Sequence, residues 1–516
     1  LLHPELPPSS REARNQMREV VTIQVGQCGN QISWRFWDLV LREHVQHNRL
    51  GLFDDSMSSF FRNVDTRHAD PLEIPVAGGQ HPISALRARA VLVDTEEGVV
   101  SQILRGPLGD LFDRQQVLTD VSGAGNNWAH GSEVYGPQHR EAFLECVRRA
   151  VGFCDSIQCF SLVHSMGGGT GSGLGSYLLR ALEDEYPQVR RFATAVFPAA
   201  DDDVITSPYN AVLAAHSLVQ HADCVFPVDN AALIELVNRV ERPQGAAVTE
   251  QRVGAITENG AGVRAAAGGR PVAPTHAFDA MNNLVAHMLA NLTASVRFDG
   301  ALNTDLSDIT SNLVPFPRMH FLVPALAPLY AVRDLRYRPA RLEHMFSDAF
   351  ASHSQLLRAD PRRHRFLACG LLLRGDVTVS DVQRNLARLR PQVELAHWNP
   401  DGFKTGLCAA QPIGQPHSLL ALSNNCCMAG VLRELCARFN KLYKRRAHVH
   451  HFTQYMEASR FDEAHDLLSQ VAAEYEQIQS AAVPAEQQGL LDRLVLPTGT
   501  SRPGVSTVRS LDPTPL

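Results

Sequence analysis

One glycine-rich stretch constrains the fold of this chain more than any other feature of its sequence. Phe160–Ser165 is an apolar, strand-favouring run, Gly167–Gly173 then holds five glycines, one threonine and one serine, and Ser176–Glu185 spaces its apolar residues like an amphipathic helix. A strand, a glycine turn and a helix in this order direct backbone N–H groups and a helix N-terminus at a phosphate. Glycine lets the backbone approach an anion closely and adopt positive φ angles, so the stretch predicts a phosphate-binding loop.

This loop fits neither of two common nucleotide motifs. Gly168 and Gly173 have the spacing of the P-loop glycines, but Leu174 stands where that motif needs lysine. The dinucleotide fingerprint also fails, because Leu174 and Ser176 stand where its third glycine is needed. A flexible glycine linker is disfavoured because a strand and a helix bracket the loop. The sequence therefore argues against an ordinary P-loop enzyme and against a glycine-loop oxidoreductase.

Composition excludes several other classes of protein. The 516 residues are enough for two or three domains, and 48 Lys and Arg against 54 Asp and Glu give a net charge of −6. That mild acidic excess argues against a dedicated nucleic-acid binder. No apolar run in the sequence approaches the length of a membrane span. The 10 cysteines are scattered without a CxxC pair, which indicates reduced thiols in a cytosolic protein.

A second strand–loop–helix unit stands near the start of the chain. Val20–Val25 predicts a buried strand, Gly26–Gln31 breaks it, and a helix is expected from Ile32. Ala90–Asp94 predicts a further strand, and Glu96 follows it closely. A carboxylate just past a strand end can hold Mg²⁺, although two acids taken alone are more often a solvated turn.

These segments resemble one known family. The Gly168–Gly173 sequence is similar to the signature of the tubulin and FtsZ superfamily of GTP-binding polymer proteins, and Gly26–Gln31 resembles the first nucleotide loop of tubulins. The resemblance runs from Met17 to Ser480. It implies an α/β fold with a Rossmann-like GTP-binding domain on a parallel sheet, a central helix, a second α/β domain and a C-terminal helical hairpin.

The resemblance also implies where the parts begin and end. We expect a GTP-binding domain over 17–237, an exposed insertion over 238–274, the central helix and intermediate domain over 275–430, and the C-terminal helices over 431–480. Residues 1–16 are expected to be a disordered extension ahead of the fold, and 481–516 a disordered tail. The central helix is expected over Phe278–Phe298.

The expected ligands are GTP or GDP with Mg²⁺. Asp94 and Glu96 match the family's magnesium-side acids, Asp203 its ribose-side acid, and Phe278 its base-stacking aromatic. Asn230 matches the asparagine that hydrogen-bonds the guanine edge, which suits an amide because it is both donor and acceptor. The full set of implied nucleotide contacts is Gln27, Cys28, Gln31, Ala124, Gly125, Asn126, Ser165, Gly168, Gly169, Thr170, Gly171, Asp203, Asn230, Phe278 and Asn282. Cys28 taken alone is equally well a small buried apolar residue.

Asp308 is the candidate catalytic residue. In α-tubulins the matching position holds a glutamate that reaches across the longitudinal contact and helps to place water at the neighbour's GTP. Asp308 keeps the acid but is one methylene shorter, so it could orient a water only if the partner approaches closely. The alternative, a solvated helix acid, stays open.

Several segments resemble the epsilon branch of the tubulins, among them Phe60–Asp65 and Met345–Phe350. That family is associated with centrioles and basal bodies. The resemblance implies other tubulins as partners, namely delta tubulin and α- or β-tubulin, together with centriolar proteins, and no nucleic acid or membrane. It implies a location in the cytoplasm, on the cytoskeleton, at centrosome, centriole and basal body.

Two functions remain open. The first is a GTP-binding structural protein of the centriole, with hydrolysis completed between subunits. The second is a structural or regulatory subunit that keeps GTP without hydrolysing it. The second is favoured because the 328–345 segment, which makes lateral contacts in tubulins, is shortened, and because the acidic tail of α- and β-tubulins is absent.

A histidine-rich cluster near the C-terminus belongs to neither function. Lys444–Arg446 stands among His448, His450 and His451. The spacing looks like a metal site, but tubulins have similar basic and aromatic residues there without metal. We therefore expect no metal at this cluster.

Overall fold

The computed structural model describes residues 18–67, 72–74, 81–199, 202, 204–241, 274–329 and 341–481. The expectations for residues 1–16, for Asp203, for most of the 238–274 insertion and for nearly all of the 481–516 tail lie outside the described residues. The described residues up to Gln479 belong to one compact unit. Within the described part, no helix has the length and apolar character that crossing a membrane requires.

The described residues form two main sheets and two small ones. The strands are β1 (Glu19–Val25), β2 (Leu52–Phe53), β3 (Phe61–Asp65), β4 (Leu72–Glu73), β5 (His81–Pro82), β6 (Ala85–Ala88), β7 (Ala90–Asp94), β8 (Val117–Thr119), β9 (Ile157–Ser165), β10 (Arg190–Phe197), β11 (Cys224–Asp229), β12 (Leu322–Ala327), β13 (Phe366–Gly375), β14 (Phe403–Cys408) and β15 (His417–Asn425).

Helices cover these sheets. They are α1 (Gly26–His47), α2 (Asp55–Ser58), α3 (Glu97–Arg105), α4 (Trp128–His130), α5 (Gly136–Gly152), α6 (Gly175–Glu185), α7 (Ser207–His221), α8 (Asn230–Glu241), α9 (Pro274–Leu292), α10 (Ala294–Arg297), α11 (Leu306–Leu313), α12 (Leu342–Ala349), α13 (Val379–Leu389), α14 (Met428–Tyr443), α15 (Val449–Thr453) and α16 (Ser459–Ser480).

The first main sheet has six strands in the order β11-β10-β9-β1-β7-β8, and every pair is parallel. Successive strands after β1 run outward in one direction and those after β9 run outward in the other. The side on which successive strands are added to the sheet therefore switches between β1 and β9. In open parallel sheets, ligands bind at the carboxyl edge beside such a switch point.

Both faces of this sheet are buried, which explains why its strands are apolar along their whole length. Val21, Ile23 and Val25 point into one core cluster with α5, α6, α7 and the C-terminal helices α14 and α16. Val20 points into the other cluster, which α1 and α9 cover. The nucleotide-side loops therefore stand on a rigid, fully packed base.

The second main sheet has the order β12-β15-β13-β14 and is mixed, because β15 is antiparallel to both neighbours and β13 is parallel to β14. The helix expected over Phe278–Phe298 begins earlier, as α9, and is interrupted at Thr293 before α10. The Thr293 hydroxyl donates to the carbonyl of Leu289 at 2.9 Å, a local bond that competes with regular helix geometry.

Candidate nucleotide-binding site

The switch point between β1 and β9 is closed by two glycine segments in contact. Gly26 has a φ of +71°, and a Cβ placed on it would lie 3.2 Å from the backbone nitrogen of Gly171. Helix α1 begins at Gly26, so the sequence prediction of a start at Ile32 is wrong. The residues predicted to form a loop, Gly26–Gln31, instead form the first turns of α1. Glycine at position 26 lets this backbone pack against the backbone of Gly171.

Three predicted nucleotide residues lie on this first part of α1. Gln27 is exposed, and Cys28 and Gln31 are half-buried. Burial raises the pKa of the Cys28 thiol to about 12, so the thiol stays neutral. Asn30, which the sequence analysis did not select, is fully buried and donates from Nδ2 to the carbonyls of Gly26, at 2.9 Å, and Val93, at 3.2 Å. It joins the start of α1 to the end of β7.

The glycines of the central loop serve close packing. A Cβ on Gly171 would lie 2.8 Å from the carbonyl oxygen of Ser165, and one on Gly169 would lie 2.7 Å from the backbone nitrogen of Asn127. No glycine of Gly167–Gly175 has a positive φ. The expectation of left-handed backbone in this loop is therefore wrong, whereas close backbone approach is observed.

Two wide helical turns face each other beside this loop. Thr170–Leu174 and Gly131–Tyr135 both have π-helical geometry, and a Cβ on Gly131 would lie 2.5 Å from the carbonyl of Gly169. Single π-helical turns are rare and recur at functional sites. The second half of the predicted glycine turn is therefore a wide helical turn, Thr170–Leu174, which continues directly into α6.

The predicted magnesium residues are Asp94, the last residue of β7, and Glu96, two positions later. Asp94 is buried, and burial raises the pKa of its carboxyl to about 6, whereas Glu96 is exposed. The hydroxyls of Thr95 and Thr170 lie 2.5 Å apart, which brings this segment against the glycine loop. Carboxylate and hydroxyl oxygens are the ligand type that Mg²⁺ prefers, and a cation would stabilise the ionised form of the buried Asp94. The residues present therefore fit Mg²⁺.

The loop with Ala124, Gly125 and Asn126 crosses the glycine loop. Gly125 and Asn126 have φ angles of +59° and +51°, and Ala124 is buried. Asn210 of α7 holds this turn in place: its Nδ2 donates to the carbonyls of Asn126 and Gly167 at 2.8 Å each, and its Oδ1 accepts from the Trp128 N–H at 2.9 Å.

Sequence reasoning did not select Asn210. It is fully buried in a helix that is otherwise apolar along this part, from Ala211 to Ala215. An amide inside an apolar run was the available signal, because such a group must find hydrogen-bond partners.

The base-side candidates stand at the far side of the switch point. Asn230 is the first residue of α8, directly after β11, and is half-buried. Phe278 is 55% exposed, and Asn282 is half-buried one turn further along α9. Helix α9 packs against both α1 and α8, and Arg35 of α1 pairs with Asp279 at 2.9 Å.

Asp308 lies apart from all of these residues. It is in the first turn of α11, whose N-cap residue Asp305 accepts from Gln158 at 2.7 Å. Gln158 lies at the amino end of β9, so Asp308 is at the sheet edge opposite the glycine loop. Asp308 completes a capping box with Asp305, and its Oδ2 lies 3.4 Å from Nζ of Lys404 on β14.

Two family models match this chain. The model of the Tubulin/FtsZ family, GTPase domain, matches residues 19–238, and the Tubulin C-terminal domain matches residues 317–437. The chain belongs to the tubulin family. This tubulin is 50% identical to the tubulin epsilon chain of Homo sapiens over 467 residues, which is 90% of this chain and 96% of the human one.

Further tubulins are also similar to this chain. The identity is 50% over 464 residues with the tubulin epsilon chain of Mus musculus, covering 89% of this chain and 96% of the relative. It is 32% over 481 residues with the tubulin beta-2 chain of Suillus bovinus, covering 91% and 98%. The expected likeness to the epsilon tubulins is confirmed, and the protein is a GTP-binding cytoskeletal protein of the tubulin family.

Proposed function

We propose that this tubulin binds GTP with Mg²⁺ at the carboxyl edge of its six-stranded sheet and acts in the organisation and stability of centriole and basal-body microtubules. The observation that carries the proposal is the contact between Gly26 and Gly171 at the switch point. It brings together the start of α1 and the glycine loop, and the bond between Thr170 and Thr95 adds the acids on either side of Thr95, at the end of β7. The likeness to the epsilon chains supports the centriolar assignment.

The site supplies the groups that GTP needs. Backbone N–H groups of the glycine loop and the N-terminus of α1 favour phosphate oxygens. Asp94 and Glu96 would hold Mg²⁺, which supplies charge neutralisation between the phosphates when bound. Asn230 and Asn282 offer amide groups for the guanine edge, and the exposed ring of Phe278 offers a surface for stacking.

Hydrolysis would be completed between subunits. The nucleotide loops lie at the carboxyl edge of the sheet, and Asp308 lies at the amino edge. A head-to-tail contact brings the amino edge of one subunit over the carboxyl edge of the next, with other tubulins such as delta tubulin as neighbours. Asp308 of one subunit then orients the water at the GTP of its neighbour. One chain alone turns over GTP poorly.

The second candidate function is a subunit that holds GTP without hydrolysing it. Its supporting observation is that Asp308 already has partners in its own chain, the backbone N–H of Asp305 and the ammonium of Lys404. An acid in a capping box has a structural reason to be present. In that case the nucleotide stabilises the fold, and Asp308 stabilises α11.

Turnover measurements separate the two functions. Bound nucleotide and GTP hydrolysis are measured for the purified chain, alone and mixed with delta tubulin, for wild type and for Asp308→Ala. Asp381→Ala is the matched control, because Asp381, like Asp308, is a half-buried acid in the first turn of a helix and hydrogen-bonds its N-cap residue, Thr378.

The intersubunit mechanism is supported if the mixture hydrolyses GTP with wild type and with Asp381→Ala but not with Asp308→Ala. Both variants must still bind nucleotide. Nucleotide that stays bound and unhydrolysed in every mixture supports the second function. Loss of bound GTP in Asn230→Ala tests the nucleotide site independently of hydrolysis, and unchanged GTP binding there contradicts the proposed base contact.

A further inference from the structure

The turn that joins α14 to α15 carries an unneutralised positive charge. We call Lys444, Arg445, Arg446, His448, His450 and His451 the basic turn. The three consecutive cations are exposed, and none of them forms an ion pair with another described residue. The ring centroids of His450 and His451 are 4.0 Å apart, and the exposed ring of Tyr455 lies 4.8 Å from that of His130. This surface presents positive charge beside aromatic area.

The backbone of the basic turn is held in an uncommon conformation. Among the described residues, only three non-glycine residues have a positive φ: Asn126, Arg446 and His448, at 51°, 51° and 59°. Two of them belong to the basic turn, and the third belongs to the loop over the nucleotide site. Such conformations cost roughly 1 kcal/mol or more and persist at functional surfaces where contacts over-determine them.

Two contacts tie the basic turn to the nucleotide site. Asn127 donates from Nδ2 to the carbonyl of His451 at 2.8 Å, and the Tyr209 hydroxyl donates to the carbonyl of Ala447 at 2.8 Å. Asn127 follows Asn126 directly, and Tyr209 precedes Asn210, the residue that holds the loop of Asn126. A change in the position of the turn is therefore passed to that loop.

We propose that the basic turn docks a short acidic segment of a partner protein, and that docking slows release of the nucleotide through Asn127. Six basic or histidine side chains lie within eight residues, which matches a short run of carboxylates. The chain as a whole carries a net charge of −6, which disfavours extended polyanions such as nucleic acids and anionic membranes. The nucleotide effect rests on the proposed GTP site; the docking does not.

The experiment titrates the full-length protein with a fluorescent Glu-rich peptide at low and high salt. The test variant is Lys444→Glu/Arg445→Glu. The control, Arg49→Glu/Arg105→Glu, makes the same charge change at two exposed arginines next to α1 and in α3. We expect at least tenfold weaker peptide binding for the test variant and a change within twofold for the control. Equal loss in both variants, no binding to wild type, or tighter binding of phosphatidylserine vesicles than of peptide overturns the docking.

The coupling is measured as the release rate of a fluorescent GTP analogue with and without peptide. Asn127→Asp keeps the side-chain oxygen that accepts from the Ala129 N–H but loses the donor to His451. We expect the peptide to slow release severalfold in wild type and to have no effect in Asn127→Asp, which still binds peptide. A release rate of the GTP analogue from wild type that is the same with and without bound peptide overturns the coupling. A wild type that binds no GTP overturns the proposed function and the coupling together, while the charge-reversal titration still decides the docking.

Discussion

The hydroxyl oxygens of Thr95 and Thr170 lie 2.5 Å apart, and this contact joins the acidic segment after β7 to the glycine loop after β9. Thr95 is buried and Thr170 is half-buried, so the hydrogen bond is partly shielded from water. Thr170 was predicted as a nucleotide contact, whereas Thr95 was not singled out between its two acidic neighbours. This hydrogen bond holds the candidate magnesium residues next to the candidate phosphate-binding loop.

Replacing Thr95 tests this joint. Thr95→Val keeps the shape of the side chain and removes the hydroxyl, so we expect a loss of about 1 kcal/mol in GTP binding, which is roughly five- to tenfold in affinity. Thr95→Ser keeps the hydroxyl and is the matched control. The measurement is GTP affinity by titration in the presence of Mg²⁺. Affinity of Thr95→Val equal to that of wild type would show that the contact does not organise the site.

Two glycines of the central loop are expected to respond oppositely to alanine. Gly171→Ala would place a Cβ 2.8 Å from the Ser165 carbonyl, so the loop must shift and nucleotide binding is lost. Gly175→Ala meets its nearest neighbour, His164, only at 3.4 Å and gains helix propensity in α6. Bound nucleotide and thermal unfolding are measured for both. The prediction fails if Gly171→Ala purifies with a wild-type content of nucleotide.

Replacing Asn210 is expected to lower the free energy of unfolding by more than replacing a typical buried asparagine does. Asn210→Ala leaves the backbone groups of Asn126, Trp128 and Gly167 without their partner, which costs on the order of 2–4 kcal/mol of stability. Asn385→Ala is the control, because Asn385 is also buried in a helix but makes one backbone contact, to Asp381. Denaturant unfolding compares the two free energies. Equal losses would contradict the role of Asn210 in holding the loops.

His164 makes stability depend on pH. Its Nδ1 donates to the Gly171 carbonyl at 2.9 Å, and burial lowers the pKa of the imidazole from its ordinary 6.5 to about 4. Between these two values the unfolded chain binds a proton that the folded chain does not, so stability falls as the pH falls, by up to about 3 kcal/mol.

The variant His164→Asn keeps a donor near Nδ1 and does not titrate. We expect a smaller loss of unfolding free energy between pH 7 and pH 5 than in wild type, measured by urea denaturation at both values. Parallel pH profiles for the two proteins would show that His164 is not the titrating group.

Local sequence patterns predicted the strands and loops that carry the candidate site. The apolar runs of β1, β7 and β9 and the glycine breaks after β1 and β9 fix the local conformation, because strand burial and glycine content act over a few residues. The start of α1 and the positive φ angles expected in Gly167–Gly175 were predicted wrongly. Both depend on how closely two segments pack, and packing distance leaves no mark in a local pattern.

The sequence by itself determined the α/β class, the succession of strand and loop, and membership of the tubulin family. Only the tertiary structure decided which side chains hold the loops together. Thr95 and Thr170 are 75 positions apart, and Asn210 is 84 positions from Asn126. Hydrogen bonds over such separations form only after the parallel sheet brings its carboxyl ends to one edge, because their geometry is set by the packed sheet and its helices.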